Sequence, residues 1–220
     1  DEYIGNDWPP FSVGQPWHGH RWMNIMRKES GQYPKVEVAY LPMPCMHCDS
    51  APCIKAAKKG AISKRNDGVV IIDPEKAKGQ KDLVDACPYG AIYWNADKAV
   101  PQKCTFCMHL LEDGWKEPRC VQACPTGAME VVYAEDEDMQ KRVKAEKLEV
   151  YRPGLKAKPR VYYRNLYRYT KCFIAGSVAL QDKDECAEGA KVTLSKGAGK
   201  VVQEGTTNNY GDFKFDGLEE

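Results

Sequence analysis

The sequence predicts an α+β chain in two parts: a cysteine-rich segment of short strands, helices and tight turns over residues 1–170, then the start of an all-β domain over residues 171–220. Three observations predict it. Eight of the ten cysteines lie in clumps between Cys45 and Cys124. A short Cys-Pro-x-Gly-Ala device occurs twice, in "CPYGAIYW" and "CPTGAMEVV". From Phe173 on, the chain changes to short β-rich runs separated by Gly, Asp and Asn turns.

The elements follow in order. Residues 1–34, rich in Trp, Pro, Gly and His, read as an irregular loop segment. "KVEVAYLP" (35–42) alternates like a strand. A loop bearing Cys45, Cys48 and Cys53 follows, then "IKAAKKG", a short helix ending at Gly60. Residues 61–73 form a hairpin around Asn66-Asp67-Gly68. Residues 74–86 read as a helix entered at Pro74 and capped by Asp73, because Pro fits the first turn and Asp accepts from its free N–H groups. "CPYGAIYW" is a turn and then a strand, and "CPTGAMEVVY" repeats it after the second cysteine group. Residues 134–150 start acidic and turn basic, the order a helix dipole favours, with an apolar stripe thin enough for a solvated surface helix. "KPRVYYRNLYRYTK" (158–171) reads as a strand and a short connection. "FIAGSVAL", "AKVTLSK", "KVVQEG" and "GDFKFDGL" are four strand candidates of a β-sandwich pattern. A complete sandwich needs roughly seven strands, so a truncated second domain is expected.

Composition excludes several classes. The formal net charge is +1, which argues against a nucleic-acid or membrane-surface partner. There is no apolar run long enough for a transmembrane helix and no signal-peptide pattern. Direct membrane insertion is therefore not expected. Disulfide scaffolds spread cysteines through loops of short secreted chains. Close Cys-x-x-Cys pairs, with Cys87 and Cys124 each followed by Pro, instead indicate metal or cluster ligation in a reducing, cytoplasmic compartment.

The spacing suits [4Fe–4S] clusters. In ferredoxin-type sites three thiolates come from one short loop and the fourth from a remote Cys-Pro. Two-residue spacing wraps the loop around the cube, and backbone N–H groups directed at its sulfurs help set the potential. Cys45, Cys48 and Cys53 supply three ligands, and Cys87-Pro88 is the nearest candidate for the fourth. In the reciprocal site the fourth ligand would stand at Ala57, three residues before Gly60-Ala61, as Cys87 and Cys124 stand before their own Gly-Ala. Its other ligands would stand near Ala77, Gln80 and Leu83. All four are absent together, so one cluster has been erased whole while its neighbour keeps a complete set. The repeat indicates duplicated ferredoxin-like modules.

The second group is Cys104, Cys107, Cys120 and Cys124. By the same rule the first three share one cluster and Cys124 serves another. Both then need cysteines that a Cys-x-x-Cys-x-x-Cys-x-x-x-Cys run before residue 1 would provide. A rival assignment makes the four a self-contained site, iron–sulfur or tetrahedral zinc. The Cys124-Pro125 step and the repeat with Cys87 argue against it.

These residues, with "GHRWMNI", "PCMHCDSAPC", "DPEKAKG", "QKCTFCMHLL" and "KPRVYYRNLYR", resemble the four-cluster iron–sulfur subunits of molybdopterin oxidoreductases related to dimethyl sulfoxide reductase. The likeness covers most of the chain. Within that group it points to subunits whose large partner moves a hydroxyl group between polyhydroxybenzenes, a pyrogallol-to-phloroglucinol transhydroxylation. The resemblance implies three [4Fe–4S] clusters in the full-length chain, one of them with all its ligands among these 220 residues. It also implies an immunoglobulin-like or transthyretin-like C-terminal sandwich. The partner would be a large catalytic subunit carrying a molybdenum bis-pterin cofactor. The chain departs from the group in lacking its first cysteine run.

The expected role is electron transfer, with no active site in this chain. The alternative keeps that role and changes the partner to another molybdopterin reductase or aromatic dehydroxylase. A zinc-stabilised interaction module is disfavoured by the three-plus-remote cysteine logic, and a free-standing ferredoxin by the added β domain and the Trp-rich segment. His47 and His109 sit inside loops whose ligand slots are filled, which favours packing or surface roles. His18 and His20 have nothing nearby to complete a metal site, and Trp8, Trp17 and Trp22 read as interface or core. Cys172 and Cys186 read as small buried apolar residues. "RVYYRNLYRY" reads as a subunit-contact strand, since Tyr and Arg are enriched at interfaces.

Overall fold

In the computed structural model, which describes residues 22–197 and 199–219, the chain enters a β-hairpin of β1 (Asn24–Gln32) and β2 (Lys35–Met43). The expected strand is β2. β1 corrects the irregular reading of residues 1–34: "NIMRKESGQ" is too polar to signal a strand, yet β2 offers it a ladder. The readings for Trp8, Trp17, His18 and His20 lie outside the described residues. Trp22 meets the ring of Tyr93 at 5.9 Å.

The cysteine loop leads into α1 (Pro52–Ala56) and a single 3₁₀ turn, Lys58–Gly60. β3 (Ile62–Lys64) and β4 (Val70–Ile72) form the expected hairpin, with Ile62 opposite Ile72. α2 (Pro74–Ala77) is capped by Asp73, whose carboxylate accepts from the N–H groups of Glu75 and Lys76 at 3.0 and 3.1 Å. The helix expected over 74–86 stops there. Gly79 takes φ +79°, and the Gln80 side-chain amide donates to the Lys76 and Lys58 carbonyls at 2.7 and 3.3 Å. One further 3₁₀ turn, Lys81–Leu83, buries Leu83 completely.

β5 (Ile92–Asn95) follows Cys87 and pairs antiparallel with β6 (Val100–Lys103), a strand the sequence did not announce. α3 (Met108–Glu112), α4 (Arg119–Gln122) and the exposed α5 (Asp136–Ala145) complete this part. The strand expected after "CPTGA" is not formed. The strand expected over 158 onward reduces to one bridge, Tyr163 with Glu149. Lys158 adopts φ +50°, which ends any extended run, and the neighbouring backbone groups bond to the cysteine loop instead.

The chain divides into two compact units. The first holds residues up to Ile25 and Pro42–Arg164. Met43, Met46, Ile62, Val70, Ala77, Leu83 and Ile92 are among its buried side chains. The second joins Met26–Leu41, from the hairpin, to Asn165–Glu220. It adds α6 (Tyr167–Thr170) and the strands β7 (Cys172–Ser177), β8 (Ala179–Leu180), β9 (Glu185–Cys186), β10 (Lys191–Lys196), β11 (Lys200–Thr206) and β12 (Asp212–Leu218). These pair antiparallel as β7–β12, β8–β9 and β10–β11. Phe215 and Leu41 are buried in this unit, and Lys214 bridges β12 to Glu37 of β2 at 2.5 Å. No cysteine forms a disulfide. Cys186 is exposed rather than buried, because it sits on a two-residue strand whose other member, Glu185, is also exposed. No helix among the described residues is long and apolar enough to cross a membrane.

Candidate cluster-binding site

The loop after β2 places Cys45, Cys48 and Cys53 in the interior, at 8, 7 and 8% exposure. His47 turns the loop at φ +43°, and Pro52 starts α1 so that Cys53 falls in its first turn. Cys87 arrives from the far side of the hairpin. Its thiol accepts from the Ala91 N–H at 3.4 Å. Gly90 lets the chain turn here at φ +65°, and Gly60 and Gly127 adopt 64° and 62° at the equivalent positions of the repeat. A Cβ at any of the three would meet no neighbour within 4 Å, so backbone conformation rather than space requires glycine.

Cys45, Cys48, Cys53 and Cys87 line one small pocket, walled by apolar Ala51, Val70 and Ile92 and by Pro88, Tyr89 and Lys103. Burial pushes the Cys48 thiol up to about 12, reinforced by Cys45, Cys87 and Cys53. Burial likewise raises Cys53 to about 11, and Cys87 in the same direction. Thiols so placed are neutral, so a metal binding them would have to displace their protons. Among the described residues no three His, Cys, Asp or Glu side chains close on a single-ion position. A tetrahedral zinc with Zn–S bonds of about 2.3 Å would need thiolates about 3.8 Å apart. The four thiols line one shared pocket. Four sulfurs, an apolar wall and a backbone N–H aimed at a sulfur are the donor set of an iron–sulfur cluster.

The second group lies beside the first. Cys104 accepts from the Phe106 N–H at 3.3 Å, in a turn where Phe106 and Cys107 adopt φ of 59° and 50°. Burial pushes Cys104 up to about 12, and the charge of Cys45 adds to it. Cys120, in the first turn of α4, is raised by burial and by Cys107. Cys124 differs. Its contact with Thr126 Oγ1 at 3.6 Å and the N–H of Met129 lower it to about 7. Cys104 feels the charge of Cys120, and Cys120 in turn feels Cys107 and Cys124, so the members of the second group lie within electrostatic reach of one another.

Several residues around the site escaped sequence reasoning. The segment 157–160 belts the cysteine loop: the N–H groups of Asp49 and Ser50 donate to the carbonyls of Lys158 and Ala157 at 2.8 and 3.0 Å, and Arg160 N–H donates to Met46 at 2.9 Å. The Arg160 side chain holds Asp49 at 2.7 Å, and Lys64 donates to the same carboxylate oxygen. The Tyr163 hydroxyl donates to the Pro42 carbonyl at 2.8 Å. Arg160 and Tyr163, from the run read as a subunit contact, thus also support the ligand loop. His47 is buried, as its packing reading requires, with Nδ1 accepting from the Val70 N–H at 3.0 Å. Burial, then Lys103 and Lys64, lower it to about 3, so it is neutral. His109 is exposed.

Comparison with known proteins follows the same lines. A family described as a 4Fe-4S dicluster domain matches residues 36–134. The chain is 50% identical over 222 aligned residues to the pyrogallol hydroxytransferase small subunit of Pelobacter acidigallici, covering 100% of this chain and 79% of that protein. It is 36% identical over 132 residues to a putative dimethyl sulfoxide reductase iron-sulfur subunit of Halobacterium salinarum, covering 50% of each. It is 33% identical over 147 residues to a tetrathionate reductase subunit of Salmonella typhimurium, covering 64% of this chain and 57% of that protein. The chain thus spans about half the length of the latter two relatives.

Proposed function

The chain belongs to the family of iron–sulfur subunits that includes the pyrogallol hydroxytransferase small subunit, and from that premise we propose that it carries electrons for a molybdopterin-dependent catalytic subunit acting on polyhydroxybenzenes. The observation that carries the reading is the cavity on which Cys45, Cys48, Cys53 and Cys87 converge. These four would hold one [4Fe–4S] cluster, which when bound takes up and releases single electrons. Cys104, Cys107 and Cys120 would serve a second, and Cys124 a third, each completed by cysteines beyond these 220 residues. The full-length protein then holds three clusters.

The chain's own residues supply the setting. The apolar wall limits water around the thiolates, and the Ala91 and Phe106 N–H groups donate to sulfur, which favours the anionic state. The belt at 157–160 fixes the loop so that little rearranges when charge changes. In this reading the chain has no active site: the hydroxyl transfer belongs to a large partner carrying the molybdenum bis-pterin. The C-terminal unit, with its antiparallel ladders, is assigned as a sandwich of immunoglobulin or transthyretin type. The complex is assigned to the cytoplasm.

The test is elemental analysis of the full-length protein isolated anaerobically with its partner. Three clusters predict about twelve irons, with about one molybdenum per complex. Near sixteen irons would refute the erased site. Zinc in place of iron would refute the redox role, and iron without molybdenum or tungsten would remove the proposed partner.

A further inference from the structure

Among the described residues one charged side chain is buried: Lys103, at 4% exposure. It closes β6 immediately before Cys104 and lines the cavity of Cys45, Cys48, Cys53 and Cys87. Its ammonium donates to the Cys104 carbonyl at 2.9 Å and to the Val70 carbonyl. Among the described residues no carboxylate pairs with it. Its charge is felt at Cys53 and Cys87 on one side and at Cys104 on the other. A buried ammonium with only carbonyl partners is unfavourable, and a fold keeps one where a negative charge arrives to compensate it. Two sets of thiolates flank this one.

We propose that Lys103 is the shared counter-cation of two cluster sites, the one on Cys45, Cys48, Cys53 and Cys87 and the one that includes Cys104, and that it raises the electron affinity of both. The inference rests on the cluster-binding reading above. Each added electron makes a site more negative by one charge, and a fixed cation beside it favours that state. Net charge and hydrogen bonding around the sulfurs are the levers by which a protein sets such potentials. Because Lys103 adjoins both sites, it would shift them together. Its two carbonyl bonds give a competing, purely structural account, in which the side chain merely ties β4 to the Cys104 turn.

The variants separate the two accounts. Lys103→Gln keeps hydrogen-bond donors and removes the charge, Lys103→Met removes both, and Lys103→Arg keeps the charge. Each would be made in the full-length protein in its complex, with iron counted and cluster reduction followed by paramagnetic resonance during a redox titration. With Gln and Met the reduced-to-oxidised ratio of both clusters at fixed potential should fall at least tenfold, a shift of about 59 mV or more for a one-electron couple. With Arg both potentials should stay near wild type. Loss of iron from Gln and Met but not from Arg would also support the proposal, since the charge would then be required for assembly. Full iron with unmoved potentials in Lys103→Gln would overturn it, as would a shift of one cluster alone or loss of iron from all three variants. Wild-type protein without iron would instead refute the cluster-binding reading itself.

Discussion

The cysteine cavity and the turn where the repeat would place a second set of ligands have opposite interiors. In the first, three buried thiols and the half-buried Cys87 face a shared space. In the second, the positions where the repeat would put ligands hold Ala57, Ala77, Gln80 and Leu83. Ala77 and Leu83 are fully buried, and Gln80 spends its amide on Lys76 and Lys58, also accepting from the Lys58 N–H at 3.0 Å. Where the repeat would place a second set of ligands there is a packed, hydrogen-bonded turn. The difference teaches that one backbone plan tolerates either interior. Replacing a single ligand of a four-thiol set would leave three thiols around a void, whereas a fully substituted set lets apolar packing stabilise the turn. The backbone shares one plan at all three repeats, since Gly60 has the same positive φ as Gly90 and Gly127.

The largest way to break this comparison is to damage the cysteine side. Cys53→Ala in the full-length protein should cost one cluster, about four irons. The bleaching of visible absorption by dithionite should fall in proportion. Retention of all iron would mean that these thiols do not hold a cluster.

The contrast was partly legible in the sequence alone. The Asn66–Gly68 hairpin and the Asp73 cap are local, and local chemistry determined them. The convergence of Cys87 on the loop cysteines followed from the remote-ligand rule, because the geometry of a cube leaves few ways to arrange four thiolates; that they hold a cluster remains the proposal. The belt at 157–160 was hidden, since it grips Asp49 and Ser50 largely through main-chain carbonyls that any residue type would present. β1 and β6 were hidden for a related reason: each takes its order from a partner strand rather than from its own alternation. Lys103 looked like an ordinary surface lysine, because nothing in "VPQKC" signals burial. β-like runs also misled where tertiary demands overrode them, as at 158–164.

The erased side should behave as a hydrophobic core does. Leu83→Ala removes a fully buried side chain and should lower stability by about 2–5 kcal/mol. The urea midpoint of the holoprotein would show the loss, while iron content and visible absorption before denaturant stay at wild-type values. Iron lost along with stability would show that the two regions are one cooperative site, and the contrast between them would collapse.

The smallest expected effect concerns the support of the cysteine side. Burial alone would raise the Asp49 carboxyl, but hydrogen bonds from Lys64 and Arg160, with their charges, outweigh it and hold the carboxyl below its ordinary value of 3.8. A carboxyl depressed in the folded state stabilises above its unfolded value, and that contribution is lost as pH falls through the folded one. Both pairs are partly solvent-exposed and screened, so together they are worth roughly 1 kcal/mol. Asp49→Asn should therefore lower the urea midpoint slightly, by the same amount from about pH 8 down to about pH 5, the range in which the carboxyl is ionised in both states. The gap between variant and wild type should narrow only as pH drops below the ordinary carboxyl range. A gap that widens with acid would assign the titration to another group and leave the belt's main-chain bonds as the sole support of the cysteine loop.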